Sequence, residues 1–145
     1  RSIKSAYVLK SLKFKFPNLN FIYPNKETAA ISRNFKLIVE TVNSTGFLEQ
    51  LNLNIPTILI YNEQYCSLRK SVVKEFEKLR KVKIIHNSPQ EAAKFVNENY
   101  DDLEKWWNSK SLQKAKNKFC FKFARQSNSP LKDLKKILSY SNVSK

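Results

Sequence analysis

FKLIVETVNSTGFLEQLNLNIPTILIYN, residues 35–62, reads as a strand, a short polar turn, a helix and a second strand. Phe35 to Glu40 is an apolar run of strand length, and Thr57 to Tyr61 is another. Between them, Asn43-Ser44-Thr45-Gly46 forms a turn, and Phe47, Leu48 and Leu51 recur at helical spacing. Pro56 closes the connection and opens the next strand. Two strands apolar throughout, joined by a helix, predict parallel neighbours with both faces covered.

In a parallel sheet the turn after a strand lies at the carboxyl edge, where ligands bind. Asn43, Ser44 and Thr45 supply amide and hydroxyl groups there. The first helical turn adds unpaired N–H groups and the positive end of a dipole. Gly46, the only glycine in the chain, permits close approach of backbone to ligand. Together they describe an anion site suited to phosphate. On the turn alone, simple capping of the helix by Ser44 or Thr45 is the more economical account.

Working outward, 145 residues give room for one domain with a real core. The chain starts at Arg1 and contains no methionine, which predicts a piece of a longer protein. No apolar run reaches membrane-spanning length and no secretory signal is visible. Cys66 and Cys120 are far apart and lack metal-ligand spacing, so free thiols in a reducing cytoplasm are expected. The net charge of +15 favours an anionic partner: a nucleotide, a lipid phosphate, an anionic membrane face or nucleic acid. Much of it is lysine in an asparagine-rich chain, so a merely solvated surface also accounts for it.

Residues 1–16 are ambiguous: Ser5 to Leu12 suits a helix, Phe14-Lys15-Phe16 alternates like a strand end, and Pro17 breaks either. Leu19 to Tyr23 reads as a strand and Lys26 to Arg33 as a short helix. After the central unit, Ser67 to Lys81 is helical, with Leu68, Val72, Phe76 and Leu79 on one face. Val82 to His86 is a fourth strand. Ser88-Pro89-Gln90-Glu91 carries a cap, a first-position proline and a third-position glutamate, and opens a helix burying Ala92, Ala93, Phe95 and Val96. Residues 101–140 form a helical tail: Asp101 caps a helix with Trp106-Trp107, Leu112 to Arg125 is a second helix, and Ser129-Pro130 starts a third. The order predicts an α/β fold, a Rossmann-like parallel sheet flanked by helices with a helical C-terminal tail.

Several chemistries find no support. His86, the only histidine, closes a strand at the carboxyl edge and has no visible catalytic partner, which favours a structural role. No His, Cys or acidic cluster has metal-ligand spacing, so no metal is expected. One glycine cannot build GxGxxG or a Walker loop, which excludes ordinary dinucleotide oxidoreductases and P-loop ATPases. Lys114 to Arg125 interleaves aromatics with basic residues as some nucleic-acid binders do. Its apolar positions share one helix face, however, and core packing with a basic outer face explains it better. Of Trp106 and Trp107, which point about 100° apart, one belongs to the core and the other to an interface.

The chain from residue 35 to 126 resembles the C-terminal part of transferases encoded in bacterial O-antigen and surface-polysaccharide gene clusters. The matching features occur in order. They are the Ser44-Thr45 turn followed by Leu48-Glu49 and Leu51, Asn54-x-Pro56-Thr57, Ile84-x-His86-x-Ser88, Ala92-Ala93, Trp106-Trp107 and Phe119-x-x-x-Phe123-Ala124-Arg125. That family is similar to GT-B glycosyltransferases, which hold their substrates between two Rossmann-like domains.

The resemblance implies that residues 1–145 are one Rossmann-like domain, the donor-binding half of a GT-B-like enzyme whose N-terminal domain is missing. It implies a nucleotide-sugar donor and no cofactor, with Asn43, Ser44, Thr45 and Gly46 on the donor phosphates and Glu49 on the ribose. A carboxylate suits a ribose because it accepts hydrogen bonds from neighbouring hydroxyls. Thr41, Asn62, Arg69, Lys70 and His86 are the expected neighbours of that site; the catalytic residues stay unassigned. The expected location is the cytoplasm, with the inner face of the membrane as an anionic surface to which the protein can attach. The competing readings are a basic nucleic-acid-binding module, which is disfavoured, and a non-catalytic Rossmann-like interaction domain.

Overall fold

The computed structural model describes residues 10–21, 28–64 and 67–141. Residues 10–15 are helical, and the named elements follow: α1 (Thr28–Ser32), β1 (Ile38–Glu40), α2 (Thr45–Asn52), β2 (Thr57–Ile60), α3 (Lys70–Lys81), β3 (Ile85–His86), α4 (Pro89–Asn99), α5 (Leu103–Trp107), α6 (Lys110–Phe123) and α7 (Pro130–Ser141). The strands form one parallel sheet in the order β1-β2-β3, with Ile38 opposite Thr57 and Leu59 opposite Ile85. The α/β fold with a Rossmann-like parallel sheet is therefore as the sequence predicts. Both crossovers step in the same direction, so α2 and α3 cover the same face of the sheet.

That face holds the main core. Leu59 and Ile85 of neighbouring strands meet Phe47 and Leu51 of α2, Phe76 and Leu79 of α3, and Leu112 and Phe119 of α6. Phe76 and Phe119 stack edge to face at 5.6 Å between ring centres. Strand alternation sends Ile58 and His86 to the opposite face, where His86 lies against Phe95 of α4. The apolar stripe of α6 is core, but Lys116 lies on the same stripe rather than on the basic outer face, and only 4% of it is exposed.

The boundaries differ from the sequence reading where tertiary context decides. β1 spans only Ile38–Glu40 and Val39 is half exposed, because β1 is an edge strand of the described sheet and α4 covers β2 and β3 instead. Phe14 and Lys15 are helical rather than strand-like, and residues 19–21 are irregular; Tyr23 and the start of the first helix lie outside the described residues. The described sheet thus has three strands, not four. α3 starts at Lys70 rather than Ser67, after an extended Arg69. Cys66 lies outside the described residues; Cys120 is a buried free thiol.

One residue ties the crossover to the C-terminal helices. Asn54, just past α2, has φ 57°, a left-handed conformation that asparagine tolerates better than other side chains. Its Oδ1 accepts from Trp107 Nε1 at 3.2 Å, Gln113 Nε2 at 3.1 Å and Lys116 Nζ at 2.6 Å. Its backbone carbonyl accepts from the same Trp107 N–H at 3.0 Å. Burial pushes the Lys116 ammonium pKa down, and Asn54 is the oxygen that solvates it. Asn54→Gly keeps the backbone conformation but strands this cation, and is expected to cost about 2–3 kcal/mol in urea unfolding. Adding Lys116→Met should recover most of that loss, because it removes the orphaned charge.

Candidate functional site

The carboxyl edge of the sheet gathers three polar connections: 41–44 after β1, 61–64 after β2 and 87–88 after β3. At the first, Thr41, Asn43, Ser44 and Thr45 are exposed and Gly46 is half buried. Ser44 takes the N-cap position of α2 with extended backbone (φ −126°, ψ 175°), yet its hydroxyl makes no cap hydrogen bond. The simple capping account is therefore not realised, and the corner faces solvent. Glu49 stands one turn along α2 from Thr45, on the exposed face opposite the buried Phe47, Gln50 and Leu51.

Gly46 has no left-handed φ, and a Cβ placed on it would meet Ser44 Oγ at 3.5 Å and Glu40 Oε1 at 3.6 Å, ordinary contact distances. The fold itself does not require a glycine there. The same contact brings in Glu40, a residue the sequence reading passed over. Its carboxylate ends β1, lies beside the first turn of α2 and accepts a hydrogen bond from Gln50 Nε2 at 3.0 Å. Gln50 is itself buried next to Thr57, whose hydroxyl lies 3.5 Å from Gln50 Oε1. The signal was present: a charged residue ending an apolar strand, two residues from Ile38 and on its face.

At the second and third connections, Asn62, Glu63, Gln64 and Asn87 join Glu77 and Arg80 of α3 around a cavity of about 510 Å³. Asn62 Oδ1 accepts from Gln64 N at 2.8 Å, which shapes the loop. The Arg80 guanidinium pairs with Glu77 and lies 3.6 Å from Glu63, while its buried Nε has no partner among the described residues. Its cation is already balanced by two carboxylates, so the cavity is polar rather than cationic. Of the expected neighbours, Asn62 reaches this cavity; Arg69 and Lys70 stand exposed at the start of α3. Asn87 and Arg80 were not foreseen; the asparagine following a buried strand was the visible hint for the first.

His86 lies elsewhere. It is fully buried, with Nε2–H donating to the Lys83 carbonyl at 3.0 Å and Nδ1 3.6 Å from Glu91 Oε1. A carbonyl can only accept, which sets the tautomer and leaves Nδ1 without a hydrogen bond. Burial holds the imidazole pKa below its ordinary value, against the opposing pull of Glu91. Glu91 is held low first by the Asn87 N–H, which it accepts at 3.0 Å, while Ser88 Oγ accepts from Glu91 N at 3.1 Å. The predicted capping box is present, displaced by one residue at its carboxylate end.

The family model for LIC12162 family transferases matches residues 4–138. The chain belongs to the LIC12162 transferase family. No curated protein and no solved structure matches it. Among the described residues, the exposed α2 corner and the cavity at Asn62 and Asn87 are polar features at the carboxyl edge of the sheet. Among the described residues, no helix is long and apolar enough to cross a membrane.

The buried histidine makes stability depend on pH. Its folded pKa lies below the unfolded one, so the unfolded chain binds the proton first and stability falls as pH drops below about 6.5. His86→Gln should flatten that fall in urea unfolding between about pH 6.5 and 5. The loss carried by Glu91, and by Glu75 of α3 whose carboxyl Lys78 and Lys122 hold low, should survive in the variant as pH falls below about 4.5.

Proposed function

We propose that this chain is the nucleotide-sugar-binding domain of a GT-B-like glycosyltransferase in surface-polysaccharide (O-antigen or capsule) biosynthesis. The observation that carries the reading is the solvent-facing, uncapped first turn of α2 at the carboxyl edge of a parallel sheet, in a chain of a transferase family. Asn43, Ser44, Thr45 and Gly46 would hold the donor diphosphate through backbone N–H groups, hydroxyls and the helix dipole. Glu49, one turn on, would accept the ribose hydroxyls. As the glycosidic bond breaks, negative charge grows on the leaving diphosphate, and preorganised N–H donors stabilise it without reorganising. Arg69 and Lys70 are the candidate cations nearby. The cavity of Asn62, Gln64 and Asn87 offers amides suited to hydroxyl-rich parts of the donor. The acceptor and a general base would come from a second domain.

Glu40 sets a condition on this reading. A carboxylate beside the first turn of α2 already interacts favourably with the dipole and repels an incoming anion. Binding to this domain alone is therefore expected to be weak, roughly millimolar for nucleoside diphosphates, without turnover. In an NMR titration with uridine, guanosine and thymidine diphosphates, resonances at Ser44 and Glu49 should shift. Ser44→Ala and Glu49→Ala should each weaken binding by about three- to tenfold, whereas Glu40→Gln should tighten it. Gly46→Ala separates site from fold: stability should hold or rise by about 0.5–1 kcal/mol while diphosphate binding drops. Absence of any shift near Ser44 and Glu49 with all three nucleotides would end the donor-site reading.

A further inference from the structure

The last helix carries an exposed apolar face that none of the described elements covers. Across α7, every side chain described, residues 130–139, is exposed, and none of the described core elements packs along it. Yet Leu131, Leu134, Ile137 and Leu138 recur at helical spacing on one face, each between 52% and 75% exposed. Lys132 and Lys136 occupy the opposite face, and Lys135 borders the stripe. Its start is set locally: Ser127 Oγ donates to Asp133 Oδ2 at 2.6 Å, and Ser129 N donates to Ser127 Oγ at 3.0 Å. A twelve-residue helix is marginal in water unless its apolar face is covered.

We propose that α7 lies in the interface of an anionic lipid membrane, with its leucine stripe among the acyl chains and its lysines at the headgroups. Charge complementarity selects this occupant. From residue 110 to 141 the chain carries nine basic residues against one acidic residue, Asp133. A second copy would have to bring two such surfaces together, within a protein of net charge +15. Nucleic acid would take the lysines but leave the leucines in water. An interfacial helix uses both, since apolar burial and attraction to anionic lipid add. Lys135, at the edge of the stripe, can bury its methylenes and still reach a phosphate.

Cosedimentation with vesicles tests this, using phosphatidylcholine alone and an equal mixture with phosphatidylglycerol. The chain should pellet with the mixed vesicles and not with the neutral ones. The double variant Leu134→Ser/Leu138→Ser should weaken that binding by about tenfold or more. Lys132→Glu/Lys136→Glu should weaken it too, as should added salt. Both variants change exposed positions, and an unchanged urea midpoint certifies the fold. Equal binding by the leucine variant would overturn the proposal, since the attachment would then be charge alone. Failure to bind mixed vesicles would overturn it as well, as would a dimer in sedimentation equilibrium that the leucine variant dissolves.

Discussion

Everything in this fold follows from the two-sided burial of one short strand. β2 has Ile58 and Leu59 pointing to opposite faces, and neither is exposed to solvent. A strand apolar on both sides must be covered twice, which in a parallel sheet is the work of crossover helices. Here α2, α3 and α6 cover one face, and α4 covers β2 and β3 on the other. Because every strand runs the same way, every strand-to-helix turn falls at the same edge. The polar corner at 43–46 and the cavity at Asn62 and Asn87 share that edge for this reason, although they are far apart in sequence.

Buried polar groups add direction to this packing. Asn54 collects Trp107, Gln113 and Lys116 onto one amide oxygen, so the turn after α2 cannot slide relative to α5 and α6. Gln50 connects Thr57 at the foot of β2 with Glu40 at the head of β1. His86 ties β3 to its own turn through Lys83 and meets the cap of α4 through Glu91. The Gln50 and His86 networks end within a residue or two of the carboxyl edge, while the Asn54 network holds the opposite end of α2. Groups that fix the fold and the exposed polar groups of the carboxyl edge are therefore mechanically adjacent.

The sequence made the parallel β-α-β unit legible because its signals were local. An apolar run, a polar corner, a helical stripe and a proline each act within a few residues, and together they specified the sheet direction and the exposed turn. The Ser88-Pro89-Gln90-Glu91 start of α4 was readable for the same reason. What could not be read depended on distant partners. Lys116 looks like one of five basic residues on an outer face until Asn54 and Trp107 are brought to it by the fold. One of Trp106 and Trp107 reads as an interface residue, yet Trp107 is buried and Trp106 donates its N–H to the Val82 carbonyl at 3.0 Å with its ring against Phe95. Val39 reads as buried, and only the sheet order shows it on an uncovered edge. Glu40 belongs to the same class: its position beside α2 follows from the crossover, not from its neighbours in sequence.

Charge distribution separates the candidate site from the bulk charge that first drew attention to the chain. Around the carboxyl edge, Glu40, Glu49, Glu63 and Glu77 stand against Arg69, Lys70 and Arg80, so this region is nearly balanced. The excess of positive charge lies instead in residues 1–36, with eight basic residues against one acidic, and in residues 110–145, with ten against one. A site selected for anions by net charge alone would concentrate lysines where the ligand enters, as electrostatic funnels do. A balanced site with an open helix terminus works differently: it offers fixed N–H donors for phosphate and carboxylates for hydroxyls, at short range and with defined geometry. On the proposed reading, that combination would suit a ligand bearing both groups better than a polyanion. On the two proposals together, long-range attraction and short-range recognition would be carried by different parts of the chain.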